Sequence, residues 1–312
     1  MATSHRQRLL IALGAVMTAV ALSVAGLQTD AGFTRTITKT GDTASSTTRL
    51  GTCSDAMSRD NALWAFLLRD TGTNPPAANL TAPGAPGSYQ NSGTLFPNNI
   101  THQTGQSGCT RDPAGYVSVL GNADSNTGNA GWVNGPTAGL PANSLGAGFT
   151  AEVWFRTPTT LGGSILSLGD TNFVATTLVA TPITLSGRKD HQIFMLANGR
   201  LSFALNKGGA NLQVTSTASF NDNVWHHAVA TVSPTAGSAL YVDGALIGTS
   251  PTATSGDIDG IVSYLRVGYE SLVGWTGAPT RYAWTGDLAH AAIYTYPFTA
   301  TQVLTHYRAG LA

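Results

Sequence analysis

Glutamate is almost missing from this chain: in 312 residues it stands only as Glu152 and Glu270, and charged residues of every kind make up 10%. Hydrolysis of a glycosidic bond needs two carboxylates flanking that bond, and two glutamates so far apart in sequence form no local pair. Sixteen Lys and Arg balance sixteen Asp and Glu, for a net charge of zero. The basic residues are scattered, and no basic stripe with interleaved aromatics offers to neutralise a run of phosphates, which excludes nucleic acid as a partner. Also missing are a Gly-x-Ser-x-Gly elbow, a His-Glu-x-x-His pair, a P-loop and any long helical periodicity. The two cysteines, Cys53 and Cys109, lie far apart and lack metal-ligand spacing. In an oxidising compartment they are expected to form one disulfide, worth ~4 kcal/mol on the chain-entropy model; two free buried thiols are the alternative.

What is abundant is glycine (36), proline (14) and small polar residues, a composition of strands joined by turns outside the cytosol. Arg6 and Arg8 precede an uncharged stretch from Leu9 to Leu27 followed by small residues, the layout of a secretory signal peptide cleaved after Ala25 or Ala31. The stretch is also long enough to remain as an N-terminal membrane anchor, the one contact with a membrane that the sequence suggests. Residues 1–31 are therefore read as signal peptide or anchor, 32–59 as a Thr/Ser-rich linker or short strand segment, and 60–312 as one domain. The segment AGFTRTITKTGDTASS (Ala31 to Ser46) resembles the start of bacterial exported fibre and matrix proteins of the TasA/camelysin type; a flexible stalk explains the same residues.

From Asp60 onward, short apolar runs of period two alternate with Gly, Pro, Asn and Asp clusters, the signature of an all-β sandwich or barrel. In GFTAEVWFRT, Phe149, Ala151, Val153 and Phe155 share one face, and Thr150, Glu152, Trp154 and Arg156 the other, which predicts a half-buried strand. Asp243-Gly244 between two apolar triplets predicts a two-residue hairpin of type I′. Asn198-Gly199 precedes another alternating run. Near the end, Thr299 and Gln302 form a capping box before a short helix face of Val303, Leu304 and Tyr307.

These blocks occur in the order found in laminin-G-like (concanavalin A-like) jelly rolls of bacterial surface proteins. NALWAFLLRDTGT resembles the first strand of that family, AGYVSV the start of its second, and FTAEVWFRT its "fTxexWfr" strand. NDNVWHHAVATVSPTAGSALYVDGALIGT is similar throughout to "WHHVAvt...lYvDGxlvg", and WTGDLAHAAIYTYPFTATQVLTHYRAG to "GxIDEvrIYnraLtxxqIxxhY..G". The resemblance covers about Asp60 to Ala312 and implies an antiparallel two-sheet jelly roll with a short C-terminal helix. It departs at Ala289 and His290, where the family commonly has an acidic pair, so a calcium ion relying on that pair is not implied here. Asp287, two positions earlier, could partly substitute. The Glu-x-Asp-x-x-Glu motif of glucanases on this fold is also missing.

Candidate sites are few. His226 and His227 are adjacent in a strand and must point to opposite faces, so they cannot share one ion; packing is expected for both. Asp257 and Asp259 in GDIDG, with Asp170 after SILSLGD, are candidate ligands of a structural calcium ion, and NADSNTGN (Asn122 to Asn129) adds oxygen donors. Tyr269, Trp275, Arg281 and Tyr282 lie in an aromatic-rich connection of the kind that a sugar-binding surface uses, with core packing the alternative. The sequence thus predicts a secreted or cell-surface, non-catalytic binding module for a glycan or an extracellular or cell-wall protein. Alternatives are a subunit of a surface fibre or matrix, and a glycoside hydrolase built from distant aspartates.

Overall fold

The computed structural model describes residues 35–39, 42–46, 51–72, 75–92, 99–121, 130–172 and 185–311. The expected export segment and the NADSNTGN loop lie outside the described residues. A hairpin of β1 (Arg35–Lys39) and β2 (Asp42–Ser46) belongs to one unit, and everything from Gly51 onward to a second.

The second unit opens with α1 (Cys53–Arg59), β3 (Trp64–Phe66), β4 (Pro76–Ala77), β5 (Gly87–Ser92), β6 (Ile100–Gln103), β7 (Tyr116–Val119) and β8 (Ala130–Asn134). Its middle holds β9 (Phe149–Arg156), β10 (Gly163–Gly169), β11 (Lys189–Met195), β12 (Arg200–Lys207) and β13 (Ala210–Ser219). It closes with β14 (His226–Ser233), β15 (Gly237–Val242), β16 (Ala245–Ser250), β17 (Tyr264–Val267), β18 (Gly286–Tyr294) and α2 (Ala300–Gly310). One antiparallel sheet runs β13-β12-β11-β10-β17-β8-β5-β4. The other runs β16-β15-β14-β9-β18-β7-β6, with β3 also paired to β18. Two such sheets face to face make a jelly-roll β-sandwich.

The core lies where the apolar alternation places it. Phe149, Val153 and Phe155 of one sheet meet Ile193, Leu201, Phe203 and Val267 of the other, all buried. The predicted hairpin forms: Asp243 and Gly244 take φ of 52° and 78°, and Val242 pairs with Ala245 across them. Both central residues need positive φ in that turn, which Asp and Gly accept.

The second face of β9 corrects the expectation of a half-buried strand. Thr150, Glu152 and Trp154 are all enclosed, because the two helices and their flanking segments lie over this sheet. There Met57, Leu67, Tyr294, Phe298 and Val303 form a separate apolar layer. Both helices are capped as their sequences dictate. Thr299 Oγ1 accepts from the Gln302 N–H while Gln302 Oε1 accepts from the Thr299 N–H, and Thr52 and Asp55 make the same reciprocal pair at α1. That second box, with Cys53, Ala56 and Met57 buried beneath it, moves the start of the compact unit to Gly51 rather than Asp60. Cys53 and Cys109 are joined, with their Cα atoms 6.0 Å apart. Among the described residues no helix is long and apolar enough to cross a membrane.

Candidate functional site

Both glutamates are enclosed and engaged. Glu152, in the middle of β9, accepts from Tyr294 Oη, lies 3.0 Å from His227 Nε2 and reaches His306 Nδ1 at 3.0 Å. The other nitrogen of His306 is 2.7 Å from Asp60. Burial alone would raise the Glu152 pKa, but the charge of His306 and the hydrogen bond from His227 hold it well below the carboxylate range. Burial likewise opposes the charged form of His306, and Glu152 and Asp60 overcome it and raise its pKa. Glu270 forms a fully buried ion pair with Arg266 at 3.2 Å and accepts from Ser186 Oγ at 2.8 Å. Neither carboxylate opens onto a surface where a sugar could lie.

His226 and His227 do point to opposite faces: His226 lies between Asp243 (2.7 Å) and Asp222 (3.1 Å), while His227 faces Glu152. Where the family commonly has its acidic pair, His290 sits buried 3.3 Å from Asp112. Asp287 is taken by Arg156 at 2.6 Å and by Ser118, so it is not free to replace that pair. Asp112 also lies beside Cys53 and Cys109, but sulfurs spent in a disulfide are not thiolate ligands.

The aromatic connection proves to be mostly packing. Tyr269 is fully buried against Trp132 at 5.7 Å. Trp275 is 5% exposed, stacks on Phe194, and donates its Nε1–H to Gln192 at 2.6 Å. Trp132, Phe194 and Ala204 lie on the outer face of their sheet, and an apolar outer face needs a cover. This segment supplies it. Arg281 and Tyr282 alone of the four reach solvent, each half-buried.

The three candidate aspartates do not come together. Asp170 accepts from the Arg188 N–H at 3.0 Å and clips the entry of β11. Asp257 accepts from the Gly208 N–H at 2.8 Å, tying its loop to the β12–β13 turn. Asp259 accepts from the Gly256 N–H at 2.9 Å, and its Oδ1 lies 3.5 Å from His191 Nε2. The partners that Asp259 does have are Asp190 and His191 of β11, which sequence reasoning passed over. Their one signal was the run of four polar residues, Lys189 to Gln192, that opens β11 before its apolar half. Burial raises the carboxyl of Asp190 well above the usual range and that of Asp259 to about 6, and it pushes His191 down to about 3.

Next to this cluster the surface opens into a cleft of about 450 Å³, lined by Arg188, Lys189, Asp190, Asn206, Asp257 and Ile258. Three loops frame it: the segment entering β11, the β12–β13 turn and the 256–260 loop. Arg188 and Asp257 are exposed, and Lys189 and Asn206 half-buried. The Lys189 ammonium lies 5.8 Å from the Trp275 ring centroid, so the covering segment also shapes this rim. The cleft offers cationic donors, a carboxylate and an amide within one concave surface.

A two-sheet jelly roll with a polar cleft among its rim loops defines a class, and residues 127–304 match the laminin-G family described as the concanavalin A-like lectin/glucanases superfamily. The chain belongs to that family. No curated protein matches its sequence. Among solved structures it is similar to the binding domain of botulinum neurotoxin DC in complex with rat synaptotagmin II (TM-score 0.53, 12% identity, covering 81% of this chain and 52% of that one). It is similar also to a botulinum neurotoxin type C structure described as dependent for cell entry on interaction with two ganglioside molecules (0.52, 13%, 82% and 53%). A third is the binding domain of Paraclostridial Mosquitocidal Protein 1 (0.50, 13%, 80% and 52%). The chain spans about half the length of these structures, and the likeness is one of fold.

Proposed function

We propose that this protein is a non-catalytic recognition module working outside the cytoplasm, and that the cleft beside β11 takes a glycan. The observation that carries the reading is the cleft itself. Arg188, Lys189, Asn206 and Asp257 present donors and acceptors together, as a hydroxyl-rich ligand with an acidic group requires. The enclosure of Glu152 and Glu270 supports a binding role over hydrolysis. One of the neurotoxin binding domains is in complex with rat synaptotagmin II, and cell entry of another neurotoxin depends on interaction with two ganglioside molecules, in keeping with a recognition role on this fold. The disulfide supports an oxidising compartment, as the export segment does.

The test is retention of the full-length protein on a broad panel of cell-wall and host glycans. Retention that falls at least tenfold with Arg188→Ala or Asn206→Ala is expected. An empty panel, or retention indifferent to both substitutions, would sink the cleft as the site.

A second reading, a subunit of a surface fibre, is favoured by β16. It ends its sheet with one hydrogen-bonded neighbour among the described residues and exposes Leu246 at 55%, and such an edge can accept a strand from another chain. A monomeric profile at every concentration in light scattering would count against it.

A further inference from the structure

The disulfide has two polar neighbours that packing alone does not call for. The sulfurs of Cys53 and Cys109 and a carboxylate oxygen of Asp112 all lie within 4.8 Å of one another, and all three residues are buried. His290 completes the group, with its Nε2 3.3 Å from Asp112 Oδ2. It is 0% exposed, and neither of its ring nitrogens makes an aligned hydrogen bond. A buried polar group left without such a bond is costly.

The backbone of β18 departs from regularity to put that imidazole there. Leu288 and Ala291 face the core between the sheets, while Ala289 packs with the two cysteines and Ala292 with the apolar layer under the helices. Strict alternation from Leu288 would turn Ala291 outward and His290 into the core. Instead the pairing with β9 shifts register between Ala289 and Ala292, and His290 takes a φ of 49°. It is the extra residue of a bulge, a device that re-aims a side chain, in a conformation uncommon outside glycine. Asp112 is fixed from its other side by Ser54, whose N–H donates to it at 3.1 Å and whose hydroxyl donates to its second oxygen.

We propose that, once the bridge is reduced, Cys53, Cys109, Asp112 and His290 hold a divalent cation of the zinc class. Two thiolates, an imidazole and a carboxylate are donors that a four-coordinate site of this ion takes, and the sulfur and nitrogen among them select against calcium and magnesium. A dithiol reductant gives the bridge two electrons and two protons and leaves as its own disulfide. The metal then displaces one proton from each thiol, so the two sulfurs part from each other and bind the ion. Ser54 orients the ligating carboxylate from the shell behind it. The tie between α1 and the segment of Cys109 thus has two forms, a sulfur bridge when oxidised and a metal when reduced. The inference stands apart from glycan recognition, because it is tested without any sugar.

The experiment reduces the full-length protein with a phosphine, counts its free thiols, and titrates it with ZnCl2 by calorimetry. CoCl2 serves as a coloured substitute, and circular dichroism follows the fold. The reduced protein should bind one zinc per chain and show sulfur-to-cobalt charge-transfer absorption; the oxidised protein should do neither. His290→Ala and Asp112→Asn, each first checked for its fold in the oxidised state, should weaken zinc binding at least tenfold. Cys53→Ser with Cys109→Ser should abolish it. Reduced, folded protein that takes up no zinc would overturn the proposal, and so would a reduced chain that loses its fold and does not regain it with zinc. Equal uptake by the oxidised protein, or undiminished binding by His290→Ala, would place the ion elsewhere and overturn it too.

Discussion

Glu152 connects three elements through one carboxylate: β14 through His227, β18 through Tyr294 and α2 through His306. Removing one partner from a buried ion pair leaves the others uncompensated, at a cost of roughly 3–5 kcal/mol. Glu152→Gln keeps the shape and removes the charge. Urea denaturation should therefore show a loss of about that size, and the His306 pKa followed by NMR should fall. A loss under about 1 kcal/mol would contradict the assignment. Glu152 stands in the outward-facing register of β9, where alternation alone assigned it to solvent. What placed it inside was a helix from the far end of the chain.

Among the elements, α2 is held by its cap and α1 by a covalent tie as well. Thr299→Ala removes the side-chain acceptor for the Gln302 N–H and should cost about 1 kcal/mol. Cys53→Ser with Cys109→Ser frees a connection of 56 residues and should cost more, about 2–5 kcal/mol. Comparison of denaturation midpoints decides whether that order holds. Much at this scale was legible in the sequence: Asp243-Gly244 as a hairpin, Thr299 and Gln302 as a cap, Phe149 to Phe155 as a core face. The box at Thr52 and Asp55 was equally present but hidden by the assumption that a Thr/Ser-rich stretch is linker. The covering role of Tyr269 and Trp275 was not legible, because periodicity says which side of a strand is apolar and not what will lie over it. Asp190 meets Asp259 only through tertiary structure, which the spacing within GDIDG could not reveal.

For the whole molecule, these pairs set a window of pH. The folded pKa values of Asp60 and Glu152 are depressed and that of Asp112 falls to about 2. Their stabilisation is complete above the ordinary carboxylate range and is lost as pH falls through the folded values. His226 and His306 are raised above their ordinary 6.5. Their contribution is complete below 6.5 and is lost as pH rises through the folded values. These pairs by themselves favour a melting temperature that peaks between about pH 4.5 and 6.5 in a constant-ionic-strength series, and Asp190, Asp259 and His191, shifted the other way, flatten that maximum without moving it above the histidine range. A maximum at pH 8 or above would mean that the histidines are not held as charged partners.

Thr110 N–H donates to the carbonyl of Gly310 at 2.9 Å, and the neighbouring Cys109 is bonded to Cys53. The polypeptide therefore enters and leaves the compact unit at one spot, on the helical side of the sandwich. Under tension between Gly51 and Leu311 the disulfide takes the stretch between Cys53 and Cys109, with α1 and β3 to β6, out of the load path, and the Thr110–Gly310 hydrogen bond and α2 bear the load first. The sulfur bridge therefore shields the first elements of the unit from a pull along the chain, whereas loss of the C-terminal helix would pass the force on to the paired strands β7 and β18.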